Sequence, residues 1–326
     1  MNIASGRLLR DALKLGAAIA LTWLALRHVD FARAWQIASS LPLILAAAAM
    51  ILLVIQAVLS AWRWVLVSRR TAAPLPLGPA LTVFMLSLFY NQALPSTVPG
   101  DAARIWGAAR FGGKGEAAVG VFLDRILTLL ALLLLAGFSM VALLLGGTAS
   151  LLLVIPLLVL AGAFVVLAIL VIFRRRLLGL LPARAGAFAL RLGDALHRLS
   201  ASSDIVGLGA VSLVIHALGI AAIWVLAQGM GLPLSPGVAF IAVPLVLLAA
   251  LIPVSVNGWG VREGTMVAVL AGFGIARTEA ATLSVVYGIF QLALGLGGGL
   301  FAVFAGRDGN AKALSGRAAP DRVEGG

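Results

Sequence analysis

The segment LPSTVPGDAAR, Leu94–Arg104, aligns without a gap onto IPVSVNGWGVR, Ile252–Arg262, at a constant offset of 158. Pro95 matches Pro253, Thr97 meets Ser255, Val98 matches Val256, Gly100 matches Gly258 and Arg104 matches Arg262. Each segment interrupts a hydrophobic stretch with proline, glycine and polar residues. Unpaired backbone groups are costly in lipid, so such breaks are tolerated only where protein or a wet cavity covers them. Two breaks at matching places in one chain suggest a transport pathway built from two halves.

The rest of the chain has the composition of a membrane protein. Of 326 residues 62% are hydrophobic and 11% charged, with a mean hydropathy of +1.11, which excludes a soluble domain. There is no cysteine, and the three histidines at 28, 197 and 216 are scattered. Neither a metal centre nor a cofactor is expected from that inventory. The net charge of +12 comes from basic residues that flank apolar segments. That placement reads as topology signals and contacts to anionic lipid, and a nucleic-acid partner is not expected.

Six apolar stretches are candidate spans, at residues 11–26, 41–67, 118–145, 151–173, 205–228 and 280–305. Two more, 77–111 and 236–273, are broken in the middle and read as re-entrant helical hairpins inside the bundle. The expected fold is therefore an all-α polytopic membrane protein of about six transmembrane helices and two hairpins. Arg7, Arg10 and Lys14 precede the first span, and Arg69 and Arg70 follow the second, which places the N-terminus in the cytoplasm. Of the 24 basic residues only Arg27, Arg33, Arg262 and Arg277 then fall outward. The C-terminus also lies in the cytoplasm, and the polar tail 306–326 is expected to be disordered. A basic start followed by a short apolar run imitates a secretory signal. Arg27, Asp30 and Arg33 disfavour cleavage there, and the topology needs the first span.

Residues 1–146 and 147–305 each read as span, span, hairpin, span. Three spans is an odd number, so the second half is expected to be inverted, with the hairpin tips approaching each other from opposite faces. The halves differ in one connection, residues 174–204, where Leu177, Leu180, Leu181, Phe188, Leu192, Leu196 and Leu199 interleave with Arg184, Arg191 and Arg198. It is a candidate interfacial helix broken at Pro182, or equally a structural linker with a solvated basic face. The small-residue run at Gly295–Leu300 permits close helix packing within one protomer or across a homodimer.

Candidate binding residues are the polar groups that membrane flanks do not explain. In the first hairpin these are Asn91, Ser96, Thr97, Gly100, Asp101 and Arg104. Pro99, Gly100 and Asp101 read as a helix start, whose free amides suit a phosphate or carboxylate, with Arg104 adding a full charge. The plain alternative is that Asp101 and Arg104 neutralise each other at helical spacing. In the second hairpin Ser255, Asn257, Gly258, Arg262 and Glu263 are the candidates, and Glu263 can pair with Arg262 or cap a helix. Asp124 and Arg125 are adjacent in the third span and need separate partners. Arg104 with Asp124, or Asp101 with Arg125, would neutralise the set as a structural or gating network. Trp62–Trp64 reads as an interfacial belt with a snorkelling arginine, and Gln56 and His216 as satisfied interhelical hydrogen bonds.

At these residues the chain resembles a family. NQALPSTVPGDAARIW, the later FLDRI and PVSVNGWGVREG are similar to the transmembrane domain of lysylphosphatidylglycerol synthases, over about residues 10 to 305. The resemblance implies a bacterial inner-membrane protein that moves a lipid, without the soluble domain that attaches the amino acid in full-length relatives. Anionic or polyprenyl-linked lipids are the implied partners. One departure stands out: where relatives often carry an arginine in the last span, VVYGIF has Tyr287 and Gly288. The expected function is a flippase-like translocase of an anionic or zwitterionic amphiphile, with no catalytic residue. Two alternatives remain: a non-transporting scaffold for a lipid-synthesising enzyme, and a lipid-modifying enzyme using Asp101, Asp124 or Glu263 as base.

Overall fold

The computed structural model describes residues 16, 19–20, 22–94, 98–145, 183–202, 204–251 and 258–315, with side chains in the last helix as far as Ala305. Half of the expected span 11–26, the span 151–173, residues 174–182 with Pro182, and the hairpin tips at 95–97 and 252–257 lie outside the described residues.

The described chain is helical, with no strand. In order the helices are α1 (Phe31–Ser39), α2 (Leu43–Ser68), α3 (Leu77–Ala93), α4 (Val98–Ala108), α5 (Lys114–Leu145), α6 (Ala183–Ser200), α7 (Asp204–Gly229), α8 (Pro236–Ala250), α9 (Val261–Ala271) and α10 (Arg277–Ser315). A single turn of tighter helix, Ala109–Phe111, joins α4 to α5. Helix starts follow local chemistry. Asp30 caps α1 by accepting from the Arg33 amide, and Ser235 caps α8 by accepting from the Val238 amide, with Pro236 in the first turn. Four helices, Leu43–Ser68, Lys114–Leu145, Asp204–Gly229 and Arg277–Ala305, are long and apolar enough to cross a membrane.

The two broken segments each form a pair of short helices, α3 with α4 and α8 with α9. Their packing is crossed. α3 runs along α10 and α4 along α5, while α8 lies against α5 and α9 against α10. Helices α2 and α7 pack on each other. The main core gathers Leu53, Leu132, Ile223, Leu226, Val246, Met266 and Leu283 from α2, α5, α7, α8, α9 and α10. Leu43, Ile51, Leu134, Phe138, Leu296 and Phe304 are exposed on the outside, as lipid-facing residues must be.

The glycine run of α10 sets its distance from α3. A methyl on Gly298 would lie 2.7 Å from the Met85 carbonyl, and one on Gly295 would meet the Gln92 side chain at 2.7 Å. Gly297, on another side of the helix, has open space. The run therefore serves packing within the protomer.

One feature departs from the sequence reading, and another refines it. The tail was expected from residue 306, but α10 stays helical to Ser315, because residues 306–315 hold no proline and extend a long helix turn by turn. The candidate interfacial helix α6 turns part of its apolar face to protein. Ala195 and Leu199 are buried with Val67, Val119, Leu123 and Leu208, and Phe188 meets Phe122 edge-on at 5.2 Å. Leu190 and Leu196 stay exposed. Arg191 reaches Glu116 at 3.8 Å, so part of the basic face is also held by protein.

A glycine-to-alanine pair tests the α3–α10 contact. Gly298→Ala should lower the melting temperature of detergent-purified protein, the overpacking cost being about 1–3 kcal/mol. Gly297→Ala should leave it unchanged or raise it, since alanine is worth about 0.5–1 kcal/mol over glycine within a helix.

Candidate functional site

Charged residues in a bilayer interior need partners, and two buried clusters show how this chain supplies them. The first is built on α5. Asp124 and Arg125 are neighbours and point in different directions around the helix. Asp124 is 2% exposed and accepts from two arginines at once, the Arg63 Nε at 2.9 Å and the Arg104 Nη2 at 2.7 Å. Arg63 comes from α2 and Arg104 from α4, so one carboxylate ties three helices together. Arg63 completes its donors with Ser212 Oγ on α7 at 3.0 Å and Thr128 Oγ1 on α5. Arg104 stacks on the Trp64 ring at 4.4 Å and the Phe84 ring at 5.2 Å.

Arg125 turns to the α4 start, where Asp101 takes its Nη2 at 2.7 Å and its Nε at 3.1 Å. This pair is open, with side chains 40% and 26% exposed, unlike the sealed Asp124 group. Asp101 also lies 3.7 Å from Arg104 Nη1, a longer contact than either main pair. Both neutralising pairs named from the sequence, Arg104 with Asp124 and Asp101 with Arg125, therefore occur. Two buried polar atoms here, Arg104 Nε and Asn91 Oδ1, have no hydrogen-bond partner among the described residues. Asn91 lies against Gly100, where a methyl would also meet the Ser87 carbonyl at 2.7 Å, so only glycine lets α4 approach α3 this closely.

The second cluster sits at the start of α9. Gly258 and Gly260 have φ of 78° and 84°, in the left-handed region that favours glycine. At Gly258 a methyl would also meet the Ala250 Cβ at 3.1 Å. Glu263, fully buried, accepts from the Gly260 amide through Oε2, and through Oε1 from Arg262 Nη2 at 2.7 Å and Ser284 Oγ at 3.2 Å. Arg262 is 4% exposed, donates from Nε to Ser284 Oγ, and stacks on Trp259 at 4.8 Å and Tyr287 at 5.6 Å. A methyl on Gly288 would collide with the Arg262 guanidinium and meet Trp259 at 2.8 Å. The missing side chain there makes room for Arg262 to reach its partners.

Among the sequence-predicted residues, Asn91, Gly100, Asp101, Arg104, Asp124 and Arg125 come together, as do Gly258, Arg262 and Glu263. No ion pair among the described residues joins one cluster to the other. Ser96, Thr97, Ser255 and Asn257 lie outside the described residues. Gln56 donates to the Ile215 carbonyl, and His216 Nε2 bonds the Thr128 carbonyl, as satisfied interhelical contacts.

The sequence reading missed Arg63, read as an interfacial snorkel but 2% exposed and at the centre of the first cluster. The signal was available: Arg69 and Arg70 already mark the end of that apolar run, which leaves Arg63 inside it. Ser284 and Trp259 were missed because a hydroxyl in a span or an indole near a tip carries no message until the arginine beside it is placed.

Comparison with known proteins agrees with the fold and the motifs. The sequence model described as "Lysylphosphatidylglycerol synthase TM region" matches residues 12–299. No curated protein and no solved structure gives a match.

Removing one partner of a buried ion pair leaves the others uncompensated and costs about 3–5 kcal/mol. Asp124→Asn strands two arginines and should sharply lower the melting temperature of the detergent-solubilised protein. Asp101→Asn, at the open pair, should lower it much less.

Proposed function

We propose, from the premise that the chain belongs to the lysylphosphatidylglycerol synthase transmembrane family, that this multi-pass membrane protein is a lipid translocase. It moves an amphiphile with an anionic or zwitterionic headgroup across the bacterial inner membrane by alternating access. The observation that carries the reading is the pair of buried arginines, Arg104 and Arg262. Each follows a helix break and is stacked between two aromatic rings beside a carboxylate. Such groups are costly to hold in a membrane and mark a pathway more readily than a scaffold.

The inverted repeat gains support from packing. Exchanging each of α1 to α5 with the helix five places later keeps nearly every helix contact. The pairing α3 with α10 becomes α8 with α5, α4 with α5 becomes α9 with α10, and α1 with α10 becomes α6 with α5. The ion pairs obey the same exchange. Arg33 on α1 meets Glu279 at 2.9 Å and Arg191 on α6 meets Glu116 at 3.8 Å, with Glu116 and Glu279 both third in their helices. Lys114–Ala118 and Arg277–Ala281, KGEAA and RTEAA, are a second echo in the sequence. Two halves related in this way give a protein two similar faces, and rocking the broken helices between them opens each in turn. The paired helices α3–α4 and α8–α9 serve as the re-entrant hairpins, and both termini lie in the cytoplasm.

The buried carboxylates disfavour the enzymatic alternative. Asp124 and Glu263 already accept from arginine and further donors, so neither is a lone base facing a substrate. No cofactor enters the proposed cycle.

The test is leaflet exchange in vesicles. Purified protein should accelerate exchange of labelled phosphatidylglycerol, and the Arg104→Ala, Arg262→Ala double variant should lose at least about tenfold of that rate. Unchanged exchange in a folded double variant would refute the assignment of headgroup contacts to these arginines.

A further inference from the structure

The geometry points to a lateral entry site in the groove between α4 and α5. A phospholipid comes in sideways from the bilayer there, its phosphate received by Arg125 and its acyl chains left in the membrane. This rests on the translocase reading and gives its substrate a way in.

The ion pairs of this molecule fall into three settings. Arg33–Glu279, Arg70–Asp204 and Arg191–Glu116 lie at or near helix ends. The pairs made by Asp124 and Glu263 lie within the bundle and are sealed. Asp101–Arg125 is the pair, among the described residues, that is both deep and open. Arg125 stands eleven residues beyond Lys114 on α5, about 16 Å along the helix, against a hydrocarbon layer about 30 Å thick. Its surroundings on the outer surface are apolar. Phe122 and Leu129, three residues before it and four after, share its face of α5 and are exposed. On α4, Val98, Ala102 and Trp106 form an exposed stripe at helical spacing beside Asp101. Side chains of this kind meet lipid tails, so the ion pair among them borders lipid as well.

A charged pair that borders lipid is costly unless a polar group covers it. A phospholipid headgroup is the polar group that the bilayer itself supplies. A phosphodiester offers two oxygens to a guanidinium fork, as the Asp101 carboxylate does at 2.7 and 3.1 Å, and can take its place on Arg125. Asp101 keeps a cation within reach in Arg104 Nη1 at 3.7 Å, so its release strands no charge. Arg110 and Lys114, exposed where α4 leads into α5, mark the interfacial end of the groove and draw an anionic headgroup toward it. In the proposed topology that end faces the cytoplasm, so loading is from the cytoplasmic leaflet. What is recognised is the phosphate, which aminoacylated and unmodified phosphatidylglycerol share. The second half has no such opening. In the register that superposes KGEAA on RTEAA, Arg125 falls on Gly288. Arg262 is buried against Glu263, and α10 turns Ile289 and Leu292 outward.

The experiment is photocapture. The full chain is placed in vesicles of digalactosyldiacylglycerol, which hold no other phosphate, with trace phosphatidylglycerol carrying a photoactivatable diazirine in its headgroup. Adducts are mapped by mass spectrometry, and the readout is the yield on α4–α5 relative to that around Ile289 and Leu292, which a general loss of folded protein does not move. The ratio should favour α4–α5 and fall at least about tenfold in Arg125→Gln, the worth of a charge-assisted contact. Asp101→Asn removes the competing carboxylate and should raise it. An even ratio, or one unchanged in Arg125→Gln, overturns the entry site. Millimolar inorganic phosphate should not compete; loss of capture in its presence would make the groove an aqueous anion site and overturn the lateral route. Leaflet exchange without capture also overturns this inference and leaves translocation standing. Capture at α4–α5 without leaflet exchange keeps the lipid site and removes the translocase reading.

Discussion

A carboxylate shared by two arginines holds the first half of this molecule in place. Asp124 receives Arg63 from α2 and Arg104 from α4, and Arg63 continues to Ser212 on α7. Lipid offers no solvation to replace any of these bonds, so the geometry of four helices is set by the requirement that each charge find its partner. Hydrophobic burial alone could not impose this register, because lipid chains are as apolar as the leucines they would displace. Polar groups specify the arrangement and small residues bring the backbones close enough to satisfy it.

Most of the architecture was legible in composition and pattern. The four long helices fall within a few residues of the spans read from hydropathy, and the breaks near Leu94 and Leu251 follow the proline, glycine and polar residues around them. Charge pairing was legible as a set of options, since Asp124 and Arg125 as neighbours had to find different partners. Its resolution was not, because Arg63 reaches Asp124 from 61 positions away in sequence. The placement of α6 was left open between two readings for a related reason. An amphipathic pattern reports that one side is apolar and says nothing about whether lipid or α5 covers it. Only the tertiary contact of Phe188 with Phe122 decides that.

The two clusters also differ in a way that similarity between the halves would conceal. Arg104 and Arg262 match in sequence and in their aromatic surroundings. One sits in an over-cationic group with an open arm at Arg125, and the other in a closed group that balances itself. Arg63 and Arg125 make the difference on one side, and on the other the space at Gly288 lets Arg262 settle against Glu263 and Ser284. In the proposed translocation a travelling anion meets two bound states of unequal depth, which affect its rate of passage and leave its free energy in either leaflet unchanged.

The crossed packing of the broken helices bears on how the chain is made. α3 leaves the ribosome early, yet the surface it fits, Gly295, Gly298 and Gly299 on α10, is about 200 residues further along. At translation rates of about 5–20 residues per second, α3 waits roughly 10–40 s for its neighbour. During that interval the side of α3 that carries Met85, Leu88 and Phe89 stands beside an empty groove. The contact that seats the first broken helix is thus made among the last, after α10 has emerged.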